Sequence, residues 1–130
     1  MGQDKLVLLV EDDPDTREVM AMLLAAAGYA VLTARDAVAG LRLIDEQPQV
    51  DVIVTDVNIG RGQDGIGMAE EIRRRGSNAS VVVVSGDPEA SGARLGPNAI
   101  FLPKPYDRNT LLAAIAEACA KTASAEHHAP

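Results

Sequence analysis

Side chains that could do chemistry follow four of the apolar runs in this sequence. Glu11 and Asp12 come directly after LVLLV, and Asp56 ends VIVTD. A hydroxyl, Ser85, follows VVVV, and an ammonium, Lys104, follows AIFLP. Because an unpaired charge is too costly inside a sheet, we expect these groups just beyond the carboxyl ends of buried strands, where open α/β sheets bind their ligands.

Three carboxylates at one point repel each other unless they are protonated or bridged by a cation. Mg²⁺ suits such a site, since it is commonly held by one or two carboxylates, waters and a substrate phosphate. With Mg²⁺ present, Asp56 is a candidate nucleophile, while Lys104 and Ser85 could hold phosphoryl oxygens. The first strand is not followed by a glycine-rich phosphate loop, which argues against nucleotide binding.

Five apolar runs predict five strands. The predicted strands are Leu6 to Val10, Ala30 to Ala34, a third that ends at Asp56 within the stretch Asp51 to Gly60, Val81 to Val84, and Ala99 to Leu102. Pro103 at the exit of the fifth strand indicates a sheet edge, where a missing N–H costs little.

A helix is predicted after each strand. The first starts at Asp13-Pro14 and stops at Gly28, the second runs from about Asp36 to Glu46, the third carries Ile66, Ala69 and Ile72 and closes at Gly76, a short and weak fourth could start at Asp87-Pro88, and the last is capped by Asp107. Strict alternation of strands and helices predicts a doubly wound parallel α/β sheet covered on both faces. The strand order 2-1-3-4-5 would place the exits of strands 1 and 3, which carry the acids, side by side.

Composition restricts the class of protein. The chain has 130 residues, 12 basic and 19 acidic, with a net charge of −7, and its aromatic residues are two tyrosines and one phenylalanine. An acidic chain with so few aromatic side chains is a poor nucleic-acid binder, so we expect no direct nucleic-acid contact. The single Cys119 excludes a disulfide framework and fits a reducing cytoplasm, and no membrane span or signal peptide is expected.

Taken together, these residues resemble the receiver domain of bacterial two-component response regulators, which has a flavodoxin-like (CheY-like) (βα)5 fold. The resemblance rests on the acidic pair Glu11-Asp12 after strand 1, Asp56 after strand 3, Ser85-Gly86 after strand 4 and Lys104-Pro105 after strand 5. It covers Lys5 to about Lys121, so we expect a receiver domain over residues 1–121 and a disordered tail over residues 122–130.

The resemblance implies a role for each matched residue. Asp56 would accept a phosphoryl group from a histidine kinase or histidine phosphotransfer protein, with Mg²⁺ as cofactor. Asp12 and Asp56 would bind the metal, Glu11 would bind it through water, and the backbone carbonyl of Asn58 would complete the ligands. Lys104 would pair with Asp56, across a cis Lys104-Pro105 bond.

The same resemblance implies a switch. Ser85 and Phe101 would turn inward on phosphorylation and change the face formed by the fourth helix, strand 5 and the last helix, where an unknown output protein would bind. Asn58 and Asp87 would set the lifetime of the phosphate. The first helix, which carries Thr16, Arg17 and Met20, would meet the kinase.

Other functions stay open on the sequence alone. A pseudo-receiver would keep the fold as an interaction module without phosphorylation, but no acid, Ser85 or Lys104 is lost here. A phosphohydrolase with an aspartyl nucleophile would need Asp-x-Asp after the first strand, whereas Asp56 and Asn58 follow the third. We therefore expect a signalling switch that catalyses its own phosphorylation and dephosphorylation, not an enzyme acting on a separate substrate.

Overall fold

The five strands form one parallel sheet in the order β2-β1-β3-β4-β5, as the sequence predicted. The computed structural model describes residues 5–59, 64–86 and 99–127, with side chains as far as Thr122. The strands are β1 Leu6–Val10, β2 Ala30–Ala34, β3 Val52–Asp56, β4 Ser80–Ser85 and β5 Ala99–Pro103. β5 is an edge strand of the sheet, so the missing N–H of Pro103 does not remove a hydrogen bond from the interior of the sheet.

Four helices lie within the described residues. They are α1 Pro14–Ala26, α2 Ala37–Glu46, α3 Gly65–Arg74 and α4 Arg108–His127. The short helix expected from Asp87-Pro88 and the lifetime residue Asp87 fall on residues 87–98, outside the described ranges. None of the described helices is long and apolar enough to cross a bilayer.

Each of these four helices begins after an aspartate whose carboxylate accepts a backbone N–H of the first turn. The caps are Asp13 to Thr16 at 2.8 Å, Asp36 to Ala39 at 2.9 Å, Asp64 to Gly67 at 2.7 Å and Asp107 to Thr110 at 2.8 Å. Such a cap satisfies a donor that the helix cannot, and its negative charge suits the helix N-terminus. These four aspartates, which are part of the acidic excess of the chain, therefore help to define where the helices begin.

The helices cover both faces of the sheet and make two cores. On one face, α1 and α4 bury Leu24 and Ile115 against Val54 of β3. On the other, α2 and α3 pack around Ile53, with Met68 fully buried. Because β1, β3 and β4 are apolar on both faces, the sequence places them in the middle of the sheet, where both sides are covered.

Helix α4 continues past the end expected for the domain. It runs to His127, and Thr122, which we had assigned to a disordered tail, is 2% exposed within it. The Thr122 hydroxyl donates to the Asp51 carbonyl at 2.7 Å and accepts the Ser80 N–H at 3.1 Å. The Ser80 hydroxyl lies 2.8 Å from the same oxygen. The tail assignment was therefore wrong at Thr122, because its hydroxyl has partners that only the folded chain brings together.

Candidate functional site

The parallel register brings the predicted site residues to the carboxyl end of the sheet. Val10 pairs with Thr55, and Asp56 pairs with Val84, so the exits of β1, β3 and β4 are level. Ser85 pairs with Pro103 of β5, and the Lys104 N–H extends this ladder by donating to the Ser85 carbonyl at 2.9 Å. The acidic, hydroxyl and ammonium groups thus lie at the exits of four neighbouring strands.

Both carboxylate oxygens of Asp56 have partners. Oδ2 forms an ion pair with Lys104 Nζ, and Oδ1 accepts the Asn58 N–H at 3.0 Å. The side chain of Asp56 is 16% exposed and that of Lys104 is 47% exposed, so the pair is open to solvent on the lysine side. The hydrogen bond to Asp56 raises the pKa of Lys104, which keeps the ammonium charged. The Lys104-Pro105 peptide is cis, as predicted.

Glu11 and Asp12 lie in the turn between β1 and α1. The Glu11 carboxylate accepts the Asp13 N–H at 3.1 Å. Burial raises the pKa of Glu11, and the negative charges of Asp12 and Asp56 raise it further. These neighbouring negative charges make the ionised form of the Glu11 carboxylate less favourable. A bound cation would offset this repulsion and so stabilise the site.

The donor set fits Mg²⁺ chemically. Within residues 5–59, 64–86 and 99–122, no three acidic, histidine or cysteine side chains form a ready-made metal cluster. Mg²⁺ needs no such cluster, since it retains waters and takes only one or two carboxylates from the protein. Asp56 and the β1 exit acids, with the backbone of exposed Asn58, are hard oxygen donors of this kind.

The start of α3 is packed directly against the main chain of Asp56. A Cβ atom on Gly65 would lie 2.1 Å from the Asp56 carbonyl oxygen and 2.9 Å from Thr55 Oγ1. The Gly65 N–H donates to the Val57 carbonyl at 2.7 Å, and the Thr55 hydroxyl donates to the Asp56 carbonyl at 2.8 Å. A residue without a side chain is therefore needed at position 65 to hold the backbone that carries Asp56.

The two predicted switch residues lie near this edge in different surroundings. Ser85 is 7% exposed at the end of β4. Phe101 is half-buried in β5, opposite Val83, and packs against the core on the α2 and α3 face.

A cavity of about 220 Å³ adjoins Asp56 and Lys104. The cavity is lined in part by the apolar Leu9 and Val54 and by Thr16, Met20 and Tyr106. The Tyr106 hydroxyl donates to Met20 Sδ at 3.8 Å. Tyr106 was not among the predicted site residues, although its position two residues after Lys104 was the available signal.

The exposed surface of α1 differs from the one expected. Met20 is 8% exposed and belongs to the core, so it is not part of the surface that we had expected to meet a kinase. Val19 and Met22 are instead 63% and 65% exposed. The difference arises because a helix places residues three apart on one face, and the face containing Met20 is the one turned to the sheet.

A larger cavity, of about 320 Å³, lies at the amino end of the sheet, near the starts of β3 and β4. Ile44, Val50 and Thr122 form part of it, and Arg75 lies at its rim. The Arg75 guanidinium already binds Asp45 at 2.7 Å and Glu71 at 3.1 Å. Size alone therefore does not identify the site, since Glu11, Asp56 and Lys104 line the smaller cavity.

Comparisons with known proteins identify the family. The sequence model of a family described as response regulator receiver domain matches residues 7–116. The transcriptional regulatory protein GlrR of Escherichia coli is 30% identical over 122 residues, which are 92% of this chain and 27% of GlrR. The chain thus spans about a quarter of that relative.

Solved structures show the same fold. The receiver domain of the hybrid histidine kinase CckA is 33% identical, with a TM-score of 0.75 over 88% of this chain and 98% of that one. The response regulator TrrA of Thermotoga maritima, solved in complex with Mg²⁺ and BeF, is 22% identical, with a TM-score of 0.76 over 88% of this chain and 98% of that one.

Proposed function

We propose that this chain, which belongs to the response regulator receiver domain family, accepts a phosphoryl group on Asp56 in a Mg²⁺-dependent reaction. The observation that carries the proposal is the setting of Asp56. Its carboxylate lies at the exit of β3, with an ammonium on one oxygen and a backbone N–H on the other. The acids that follow β1 lie nearby, and the negative charges of Asp12 and Asp56 add to burial in raising the pKa of Glu11.

The reaction would be a nucleophilic displacement at phosphorus. A carboxylate oxygen of Asp56 forms the new P–O bond as the P–N bond of a phosphohistidine breaks, and the imidazole leaves with the bonding electron pair and takes up a proton. Bound Mg²⁺ would supply positive charge for the phosphoryl oxygens. Asp12, Asp56 and the Asn58 carbonyl would hold the metal, with Glu11 acting through water.

The chain's own donors would stabilise the transferred group. The Lys104 ammonium, which now pairs with Asp56, would contact a phosphoryl oxygen, and the Ser85 hydroxyl would hold another. Ser85 lies at the exit of β4, next to β3, and Lys104, at the exit of β5, is already paired with Asp56. Asn58 and Asp87 are our candidates for setting the rate at which water removes the phosphate.

Phosphorylation would act as a switch because it changes charge at a packed site. The modification replaces one negative charge with about two and adds acceptor oxygens. Ser85 would move toward them and Phe101 would turn inward, which would alter the surface around β5 and α4. We propose that an output protein reads this surface.

We propose a histidine kinase or histidine phosphotransfer protein in the cytoplasm as the phosphoryl donor. The exposed Val19 and Met22 of α1 would offer apolar contacts to such a partner. No nucleic-acid contact is proposed, because the net charge of −7 opposes it. CckA and GlrR are relatives, and their partners are not assigned to this chain. Its own partners are to be identified by binding experiments.

Intact mass after incubation with acetyl phosphate and Mg²⁺ tests the proposal. We expect the gain of one phosphoryl group, its loss in chelator and its loss in Asp56→Asn. Asp45→Asn, which removes an exposed carboxylate on α2, is the matched control and should still be modified. A folded protein that gains no mass would leave the pseudo-receiver, an interaction module without phosphorylation, as the better description.

A further inference from the structure

Arg17 occupies a position in α1 that helix electrostatics disfavour. The helix starts at Pro14, so Arg17 lies in its first turn. The partial positive charge at a helix N-terminus favours acidic side chains there and opposes a cation. Asp15 follows this rule and Arg17 does not. Local sequence preference therefore leaves the placement of Arg17 unexplained.

The contact made by Arg17 supplies the explanation. Its Nη1 donates to the backbone carbonyl of Glu11 at 2.9 Å, across six residues. Among the described residues this is the one hydrogen bond of the guanidinium. Glu11 is thus held at two points, its carbonyl by Arg17 and its carboxylate by the Asp13 N–H at 3.1 Å.

The segment held in this way carries two acids of the site. Glu11 and Asp12 leave β1 beside Asp56, so like charges tend to push the turn outward. A short turn fixed at both ends of Glu11 resists that displacement. Arg17 itself is half-buried, and its guanidinium contacts the turn through the hydrogen bond to the Glu11 carbonyl.

We propose that Arg17 is a positioning residue for Mg²⁺: it holds the Glu11-Asp12 turn in place so that these acids meet the ion together with Asp56. This inference rests on the proposed function, since it assumes that the acids bind Mg²⁺. Residues that orient metal ligands through a hydrogen bond commonly change affinity by roughly tenfold or more when they are removed.

A simple charge effect predicts the opposite sign. If Arg17 acted only as a nearby cation, it would repel Mg²⁺, and its removal would strengthen metal binding. If it holds the turn, its removal weakens metal binding even though a repelling charge is lost. The direction of the change therefore separates the two explanations.

The experiment measures Mg²⁺ binding by the unphosphorylated protein, from the rise in Tm with Mg²⁺ concentration followed by circular dichroism. Arg17→Met keeps the aliphatic stem and the helical propensity but removes the guanidinium. Arg42→Met, an exposed arginine on α2, makes the same charge change away from the site. Arg17→Lys keeps the charge and one donor group.

We expect Arg17→Met to raise the half-saturating Mg²⁺ concentration by roughly tenfold, Arg17→Lys to give an intermediate value and Arg42→Met to match the wild type. Equal or tighter binding by Arg17→Met, with normal binding by the wild type, overturns this inference and leaves the proposed function intact. If Arg17→Met does not fold, Arg17→Lys decides, and wild-type affinity there counts against the inference. A wild-type protein whose Tm does not respond to Mg²⁺ overturns both.

Discussion

Gly65 and Asp56 are in such close contact that a single methyl group cannot be inserted between them. The ideal Cβ position on Gly65 lies 2.1 Å from the Asp56 carbonyl oxygen, well inside the closest approach of non-bonded atoms. The start of α3 therefore fixes the main chain of the phosphoryl acceptor. Fold stability and the geometry of the site are joined at this contact.

Gly65→Ala should consequently destabilise the protein and misplace Asp56. Overpacking of this kind costs about 1–3 kcal/mol, which urea unfolding would measure. We also expect slower phosphorylation by acetyl phosphate in the folded fraction. Gly86→Ala is the control for stability alone, since a Cβ there meets nothing within 4 Å but the position adjoins Ser85 of the site. Equal stabilities in the two variants would contradict the tight packing at Gly65.

Lys104→Met should affect chemistry much more than stability. The Asp56 ion pair is about half exposed on its lysine side, and such pairs contribute roughly 0–1 kcal/mol. A positioned donor to developing negative charge is worth more, and its loss commonly costs roughly a hundredfold in rate. We expect little change in Tm and a large fall in the rate of mass gain with acetyl phosphate. Lys121→Met, on α4, should leave both quantities unchanged.

Thr122→Val should show that α4 is anchored at the amino ends of β3 and β4. The substitution removes a hydroxyl that joins the Asp51 carbonyl and the Ser80 N–H while nearly keeping side-chain shape. Leaving buried polar groups without this partner costs about 1–3 kcal/mol. Thr33→Val, at an exposed position of β2, is the matched control in chemical unfolding. A Thr122→Val protein as stable as the Thr33→Val protein would mean that the anchor contributes nothing.

The cap of α4 predicts a pH dependence. Hydrogen bonds from Thr110 lower the pKa of Asp107 below its usual value of 3.8. A lowered folded-state pKa gives stability that is present above the unfolded-state pKa and is lost as pH falls through the folded-state pKa. Asp107→Ala should therefore be less stable than the wild type at pH 7, and the difference should shrink below about pH 4.

Asp107→Asn separates charge from hydrogen bonding in the same measurement. Asparagine caps helices about as well as aspartate but does not titrate in this range. Because neither alanine nor asparagine titrates here, both variants should change by the same amount relative to the wild type as pH falls, while Asp107→Asn should be the more stable of the two. If the free energy of unfolding changed with pH in the same way for the alanine variant and the wild type, the Asp107 cap would make no pH-dependent contribution to stability.

Local patterns in the sequence determined most of the framework. Apolar runs placed the five strands within a residue or two of their bounds, and an aspartate marked the start of three of the four described helices. Alternation of strands with helices requires a parallel sheet, because a crossover must return each strand in the same direction. Once the order 2-1-3-4-5 is adopted, Glu11, Asp56 and Lys104 have to converge, since all three lie at the carboxyl ends of strands in one parallel sheet.

Tertiary structure decided which atoms meet. The sequence could not show that Gly65 touches the Asp56 carbonyl, that Arg17 holds Glu11 or that Thr122 joins two strands, because these contacts depend on distances between separate elements. It also misassigned Met20, whose exposure depends on the direction in which one face of α1 is turned. Periodicity and end signals are local and can be read along the chain. Close packing involves residues far apart in sequence and is fixed only when the layers come together.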